Sequence, residues 1–141
     1  MRYVLDSSVA FKWEVTEPFS DKADLLRNDY RNALHELLAP DFLPLELAHA
    51  LTRAERQGRI PVGRAKFLWA DAMSTSPVCH PALPLADRAI EISSQQRIGV
   101  YDCLYVALAE SEGIELLTTD DKLLKNLQAR FPFVNSLAIL P

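Results

Sequence analysis

The sequence predicts a three-layer α/β/α sandwich around a mainly parallel sheet, on three observations. Short apolar runs rich in Val, Leu and Tyr alternate with longer stretches of helical periodicity along the 141 residues, as expected of parallel strands joined by helical crossovers. From Cys103 to Ala109 every residue is apolar or aromatic; the run is long enough for about two turns at ~3.6 residues each, and no side of it is fitted for water. Finally, acids follow several of the strand-like runs, at the carboxyl ends where open α/β sheets place ligands.

Length and a 49% hydrophobic content suit one domain over residues 1–141 that buries roughly 68–70% of its unfolded surface. No apolar run reaches ~18 residues and no charged-then-apolar leader opens the chain, so the expectation is a cytoplasmic protein with no membrane role. Cys79 and Cys103 form no C-x-x-C pair and read as small buried apolar residues. A net charge of −4 argues against nucleic-acid binding by a global positive field. A local field is a separate matter: Arg53, Arg56, Arg59, Arg64 and Lys66 fall within 14 positions against one acid, Glu55, as either a solvated surface or a phosphate-tracking patch.

The elements follow in order. Arg2 to Leu5 is a short strand ending at Asp6, and Ser7 or Ser8 caps a helix through Trp13. Pro18 marks a break over Thr16 to Phe19, and Ser20 caps a helix to about Asn32. Leu34 to Ala39 reads as a strand that Pro40 ends. Pro44 suits the first turn of a helix whose Leu45, Ala48 and Leu51 recur at helical spacing, with Glu46 in that first turn. Gly58 stops it, and after Pro61 a second helix carries Ala65, Leu68, Trp69 and Ala72, making an αα-hairpin with the basic cluster around its tip. Val78 to His80 is a strand between prolines, and Leu85 to Gln96 a helix with Ala86, Ala89, Ile90 and Ile92 inward. The apolar helix opens at Asp102 and stops at Gly113, Ile114 to Leu117 is a buried parallel strand, Asp121 to Leu127 a short helix, and an extended piece begins at Phe133.

Four acids then stand at element ends that a parallel sheet gathers on one edge: Asp6, Glu46, Asp102 and Asp120. Each alone has an ordinary structural use: Asp6 and Asp120 as turn formers, Glu46 as a helix-dipole partner and Asp102 as an N-cap. Their coincidence carries the functional reading, because four close carboxylates repel unless a cation sits among them. An all-oxygen site of this kind suits Mg²⁺ or Mn²⁺, which bind phosphate oxygens as well.

Tyr3-Val4-Leu5-Asp6-Ser7-Ser8, Pro44-Leu45-Glu46, Tyr101 to Ala109, and Thr118-Thr119-Asp120 resemble the successive motifs of PIN-domain nucleases. Length and motif order resemble most the VapC-type toxins of toxin-antitoxin pairs. The resemblance implies a PIN-like fold, an acidic pocket holding one or two Mg²⁺ or Mn²⁺ ions, and endonucleolytic cleavage of RNA. Carried over by residue, Asp6, Glu46, Asp102 and Asp120 match the metal-binding acids, Ser8 the hydroxyl beside the first and Thr118 the hydroxyl before the last. Asp121 adjoins Asp120; the Thr-x-Asp spacing favours Asp120 as ligand, with Asp121 capping the next helix. The resemblance also implies a homodimer and a small cognate antitoxin that supplies the operator-DNA contact, so this chain need not bind DNA itself.

Other signals carry less. His35, His49 and His80 have no i, i+4 partner histidine, which argues against zinc; His49, three residues after Glu46, is placed to line a pocket or to serve structurally. Lys12 either reaches toward phosphate or snorkels from an apolar helix. Trp13, Phe42, Phe67 and Trp69 read as core, and Phe11, Trp13, Leu37 and Leu38 as core or partner surface. No nucleotide-binding or serine-hydrolase motif occurs. The alternative to a nuclease is a non-catalytic PIN-like module that binds RNA or protein. Phosphoryl transfer through Asp6 is disfavoured, because Asp6-Ser7-Ser8 lacks a second acid two positions on.

Overall fold

The computed structural model describes Met1–Pro141. Its five strands are β1 (Arg2–Leu5), β2 (Glu36–Pro40), β3 (Val78–His80), β4 (Glu115–Thr118) and β5 (Val134–Ser136). All pair in parallel in the order β3-β2-β1-β4-β5. Seven helices flank them: α1 (Ser7–Glu14), α2 (Ser20–Arg31), α3 (Leu43–Arg56), α4 (Ala65–Met73), α5 (Ala86–Gln96), α6 (Val100–Glu112) and α7 (Asp121–Leu127). The result is the α/β/α sandwich that the alternation of elements predicts.

The central strands are apolar because both faces are covered. Tyr3, Val4, Leu5, Leu37, Leu38, Leu116 and Leu117 are all buried, as expected for a parallel sheet between helical layers. Register places Val4 beside Leu38 on one side and beside Leu116 on the other. The sheet winds outward from β1 toward β3, then from β4 toward β5. The reversal lies between β1 and β4, which makes their carboxyl ends the switch point of the sheet.

Helix α6 closes one face. Cys103 through Ala109 are buried without exception, because the helix packs on β1, β2 and β4 while α5 covers its other side. Gly113 ends it at φ 66°, a left-handed value that glycine adopts without a Cβ clash. No helix is long and apolar enough to cross a membrane.

Several local expectations are corrected. Asp102 is the third residue of α6 and not its cap: Gly99 takes that position, and its carbonyl already accepts the Cys103 N–H at 3.2 Å. Asp120, not Asp121, caps α7, and Asp6, rather than a serine, caps α1. Ser20 is the first residue of α2, after Phe19 at φ 70°, and its hydroxyl faces back to accept the Glu17 N–H at 2.9 Å. In α3 the buried stripe is Leu43, Leu47, Leu51 and Ala54, with Leu45 exposed. Ile90, Phe67 and Cys79 also face solvent. Phe11, Trp13, Leu37 and Leu38 are core residues of this chain and form no outer surface.

Arg27 ties α1, α2 and α4 together from within. Its guanidinium donates to Thr75 Oγ1 and the Asp71 carbonyl at 2.7 Å each, to Glu14 at 3.2 Å, and stacks on Trp13 at 5.0 Å. Burial, reinforced by the Asp71 carboxyl, pushes Glu14 up to about 7 despite this pairing. Removing one partner of such a buried pair strands the other. Arg27→Ala is expected to cost about 3–5 kcal/mol, measured as a lower urea midpoint with an unchanged slope.

Candidate active site

Asp6 leaves the end of β1 and its backbone turns directly into α1. Its Oδ1 accepts the Ser8 N–H at 3.1 Å and the Ser8 hydroxyl, and its Oδ2 accepts the Thr118 hydroxyl at 2.5 Å. Thr118, the last residue of β4, is fully buried. Its oxygen in turn accepts the Asp120 N–H at 3.1 Å. Ser8 Oγ accepts the Thr119 hydroxyl and N–H at 3.0 and 3.3 Å. The two strands at the switch point are thus stitched by side chains beyond the last backbone bond, Asp6 N–H to the Leu117 carbonyl at 3.3 Å.

The other acids come from three helices. Glu46, in the first turn of α3, accepts the Tyr105 hydroxyl at 2.5 Å. Asp102 projects from the first turn of α6 and receives no hydrogen bond from the protein. Asp120 accepts the Lys122 and Leu123 N–H groups on Oδ1 at 3.0 and 3.2 Å.

Charge shows how the four relate. Burial pushes the Asp6 carboxyl up to about 6; the Ser8 and Thr118 donors pull against this, and the Asp102 charge adds to it. Asp102 is likewise raised, first by burial and then by Asp120 and Glu46, with Lys122 opposing. Asp102 is therefore the acid that senses all three others. Burial and the Glu46 charge hold the Tyr105 phenol well above its usual range, so it remains a donor.

Free acceptor positions test whether these residues suit a metal. A carboxylate offers about four lone-pair sites. Asp6 retains one on Oδ2, Glu46 and Asp120 each keep an entire oxygen, and Asp102 keeps both. Negative charge is concentrated with Lys122 as the cation that Asp102 feels. Hard oxygen donors with spare lone pairs fit a divalent cation such as Mg²⁺ or Mn²⁺, although no three of the side chains form a preassembled ligand cluster.

A family model described as PIN domain matches residues 3–129. The chain belongs to the PIN domain family. PIN domains are generally nucleases, which sets the kind of chemistry. This PIN domain is similar in fold to PAE2754 from Pyrobaculum aerophilum, with TM-score 0.69 at 23% identity over 98% of this chain and 93% of that one. It is also similar to a chain in the crystal structure of VapBC2 from Rickettsia felis bound to a DNA fragment from their promoter, with TM-score 0.64 at 16% identity over 96% and 97%. No curated protein matches the sequence.

Ser8, which the resemblance set beside the first acid, bonds Asp6, and so does Thr118, which the resemblance set before the last. Sequence reading passed over Tyr105 and Lys122. Tyr105 carries a usable signal, because a phenol inside a wholly apolar helix needs a partner for its hydroxyl. His49 does line a cavity with Glu46. Lys12 is buried and paired with Glu17 at 3.0 Å, so it faces no phosphate site.

Asp6 generates a pH prediction. Its folded value of about 6 exceeds the ordinary 3.8, so the fold keeps the proton that the unfolded chain releases. The corresponding stability is complete below about 3.8 and is lost as pH rises to about 6. Asp6→Asn keeps the hydrogen bonds, since the amide can donate to Thr118 Oγ1 while its carbonyl serves Ser8. In chelator, urea unfolding should find the variant more stable than the native chain at pH 7 by about 2–3 kcal/mol, and no more stable at pH 3.

Proposed function

We propose that this PIN domain is a divalent-metal-dependent endoribonuclease and the toxin of a VapBC-type toxin-antitoxin pair. The observation that carries the reading is the charge coupling of Asp102 with Asp6, Glu46 and Asp120, acids that each keep an unused acceptor position. Family membership supports the nuclease chemistry. The likeness in fold to a chain of the VapBC2 complex supports the antitoxin partner and a link to operator DNA made through that partner. A homodimer and a cytoplasmic location belong to the same reading.

In this mechanism Asp6, Asp102, Glu46 and Asp120 would hold Mg²⁺ or Mn²⁺. When bound, such an ion supplies a nucleophile from water at neutral pH and neutralises charge on the phosphodiester. The protein's own part is orientation and proton management. Ser8 and Thr118 lock the Asp6 carboxylate in one rotamer, and Tyr105 does the same for Glu46. Asp102 rides on a helix immobilised by seven buried residues in a row, a rigid base for ligand placement. A carboxylate oxygen that the ion leaves unengaged is the group suited to take the proton released by the attacking water. No serine, histidine or cysteine nucleophile is required, and the Cys103 thiol is buried and pushed up to about 11.

Cleavage of RNA by the purified protein in Mg²⁺ or Mn²⁺ should disappear in chelator. Asp102→Asn and Asp6→Asn should each lower the rate by about 10²–10³-fold, the scale of removing one transition-state stabiliser. Cutting that survives both chelator and Asp102→Asn would refute the metal mechanism. Absence of metal binding by calorimetry, with RNA binding intact, would favour a non-catalytic binding module. The toxin reading further expects growth arrest on expression, relieved by Asp6→Ala and by co-expression of a short neighbouring reading frame.

A further inference from the structure

The four acids differ in how their oxygens are engaged. Oδ1 of Asp6 accepts both the N–H and the hydroxyl of Ser8, and Oδ1 of Asp120 accepts the Lys122 and Leu123 N–H groups. Two donors fill the lone pairs of a carboxylate oxygen, so each of these acids is left with its other oxygen for a cation. Asp102 is the opposite case, with neither oxygen taken by a protein donor. Glu46 stands between them: one hydroxyl, that of Tyr105, bonds Oε1 at 2.5 Å, and Oε2 has no donor.

That hydroxyl is held more firmly than the carboxylate it serves. Tyr105 is 1% exposed, in the middle of the buried run Cys103 to Ala109 of α6. Its ring packs edge-on to Phe42 at 5.3 Å between centroids, and the Ser7 hydroxyl is a further hydrogen-bond neighbour of its oxygen. Burial and the Glu46 charge keep the phenol protonated, so Tyr105 donates and Glu46 accepts. Glu46 itself is only half-buried, at the end of a long side chain in the first turn of α3. Without the hydroxyl, no group of the protein fixes which of its oxygens faces the other acids.

Divalent ions differ in what they ask of a carboxylate. Ca²⁺ takes about six to eight oxygens at about 2.3–2.6 Å and readily uses both oxygens of one acid. Mg²⁺ keeps near-octahedral geometry at about 2.0–2.1 Å and retains several waters, and Mn²⁺ also favours octahedral oxygen sites. One oxygen per acid therefore suits the smaller ions. Asp102 already offers two, so Glu46 decides whether the site has a second acid able to do so.

We propose that Tyr105 is a positioning residue that sets which divalent ion the acids would hold: by keeping one Glu46 oxygen on its hydroxyl, it limits that carboxylate to one-oxygen contact and favours Mg²⁺ or Mn²⁺ over Ca²⁺. This role rests on the metal reading of the acids and adds to it how the ion is chosen.

The test is calorimetric titration of the metal-free full chain with Mn²⁺, Mg²⁺ and Ca²⁺, with the spin-resonance signal of free Mn²⁺ as a second measure of occupancy. The native chain should bind Ca²⁺ more weakly than either of the others. Tyr105→Phe keeps the ring and removes only the hydroxyl. It should weaken Mn²⁺ and Mg²⁺ about 10-fold, the scale of losing an outer hydrogen-bond partner of a metal ligand, while Ca²⁺ binding holds or tightens. A merely structural role would move all three ions together. Tyr30→Phe, which removes a hydroxyl bonded to the Ser76 carbonyl at 2.9 Å just before β3, should leave every affinity native. In a Glu46→Gln background Tyr105→Phe should no longer change the preference, because the side chain it steers carries no charge. Thermal melts of each variant check that the fold is kept. An equal shift of all three ions by Tyr105→Phe, no shift at all, or an undiminished change of preference in the Glu46→Gln background overturns the role. A native chain that binds Ca²⁺ as tightly as Mn²⁺, or binds no ion, overturns it too. RNA cleavage is scored separately. Metal-dependent cutting with a preference that Tyr105→Phe leaves unmoved ends this role and keeps the nuclease reading, whereas a preference that moves as expected without any cutting does the reverse.

Discussion

Asp6 is a buried carboxylate in the middle of the sheet's carboxyl edge, and the organisation of the site depends on accommodating it. Burial alone would favour its neutral form, and neighbouring Asp102 adds to that tendency. Three donors from Ser8 and Thr118 partly offset the cost. The Ser8 donors are local to the cap of α1, whereas the Thr118 donor exists only because β1 and β4 are adjacent, 112 positions apart as the two residues are. The strand order, the capping of α1 and the hydroxyl ladder through Thr118 to Asp120 are thus parts of one arrangement around one charge. A carboxyl kept this way responds both to protons and to any charge brought near it.

The same arrangement explains why the acids come from different kinds of element. Asp6 and Asp120 are N-caps, so their oxygens are divided between backbone N–H groups and the pocket. Glu46 and Asp102 are first-turn helical residues, free to project from rigid axes. Tyr105 joins these two helices by bonding Glu46 from within α6, one turn beyond Asp102. Its ring packs edge-on to Phe42 at 5.3 Å, and Phe42 also supports Tyr101. Core packing and acid placement consequently share the same few side chains.

Where sequence reading erred, it erred locally. Asp102 has the sequence position of a cap because it directly precedes the unbroken apolar run; the backbone enters the helix earlier, at Val100, and burial in α6 begins only at Cys103. Asp121 was assigned the cap of α7, but the extended backbone at Asp120 aims that side chain at the next two N–H groups. Leu45 and Ile90 fit a helical stripe by spacing and face solvent instead, because spacing fixes relative angle and leaves the absolute orientation to tertiary packing. Phe11 and Trp13 add more apolar surface than a small core calls for by count, yet α1 lies against α2, α3 and α4 and all of that surface is covered.

The sequence by itself determined the fold class, the order of elements, the unbroken burial of Cys103 to Ala109 within α6 and the four acids at element ends. These follow from local patterns: apolar runs, helical periods and polar residues at turns. Tertiary structure alone decided that β1 and β4 are neighbours, that Thr118 donates to Asp6, and that Tyr105 bonds Glu46. Each of these depends on which surfaces meet across the sheet and between helices. A one-dimensional pattern specifies that a face is apolar or charged, and only packing specifies what it faces.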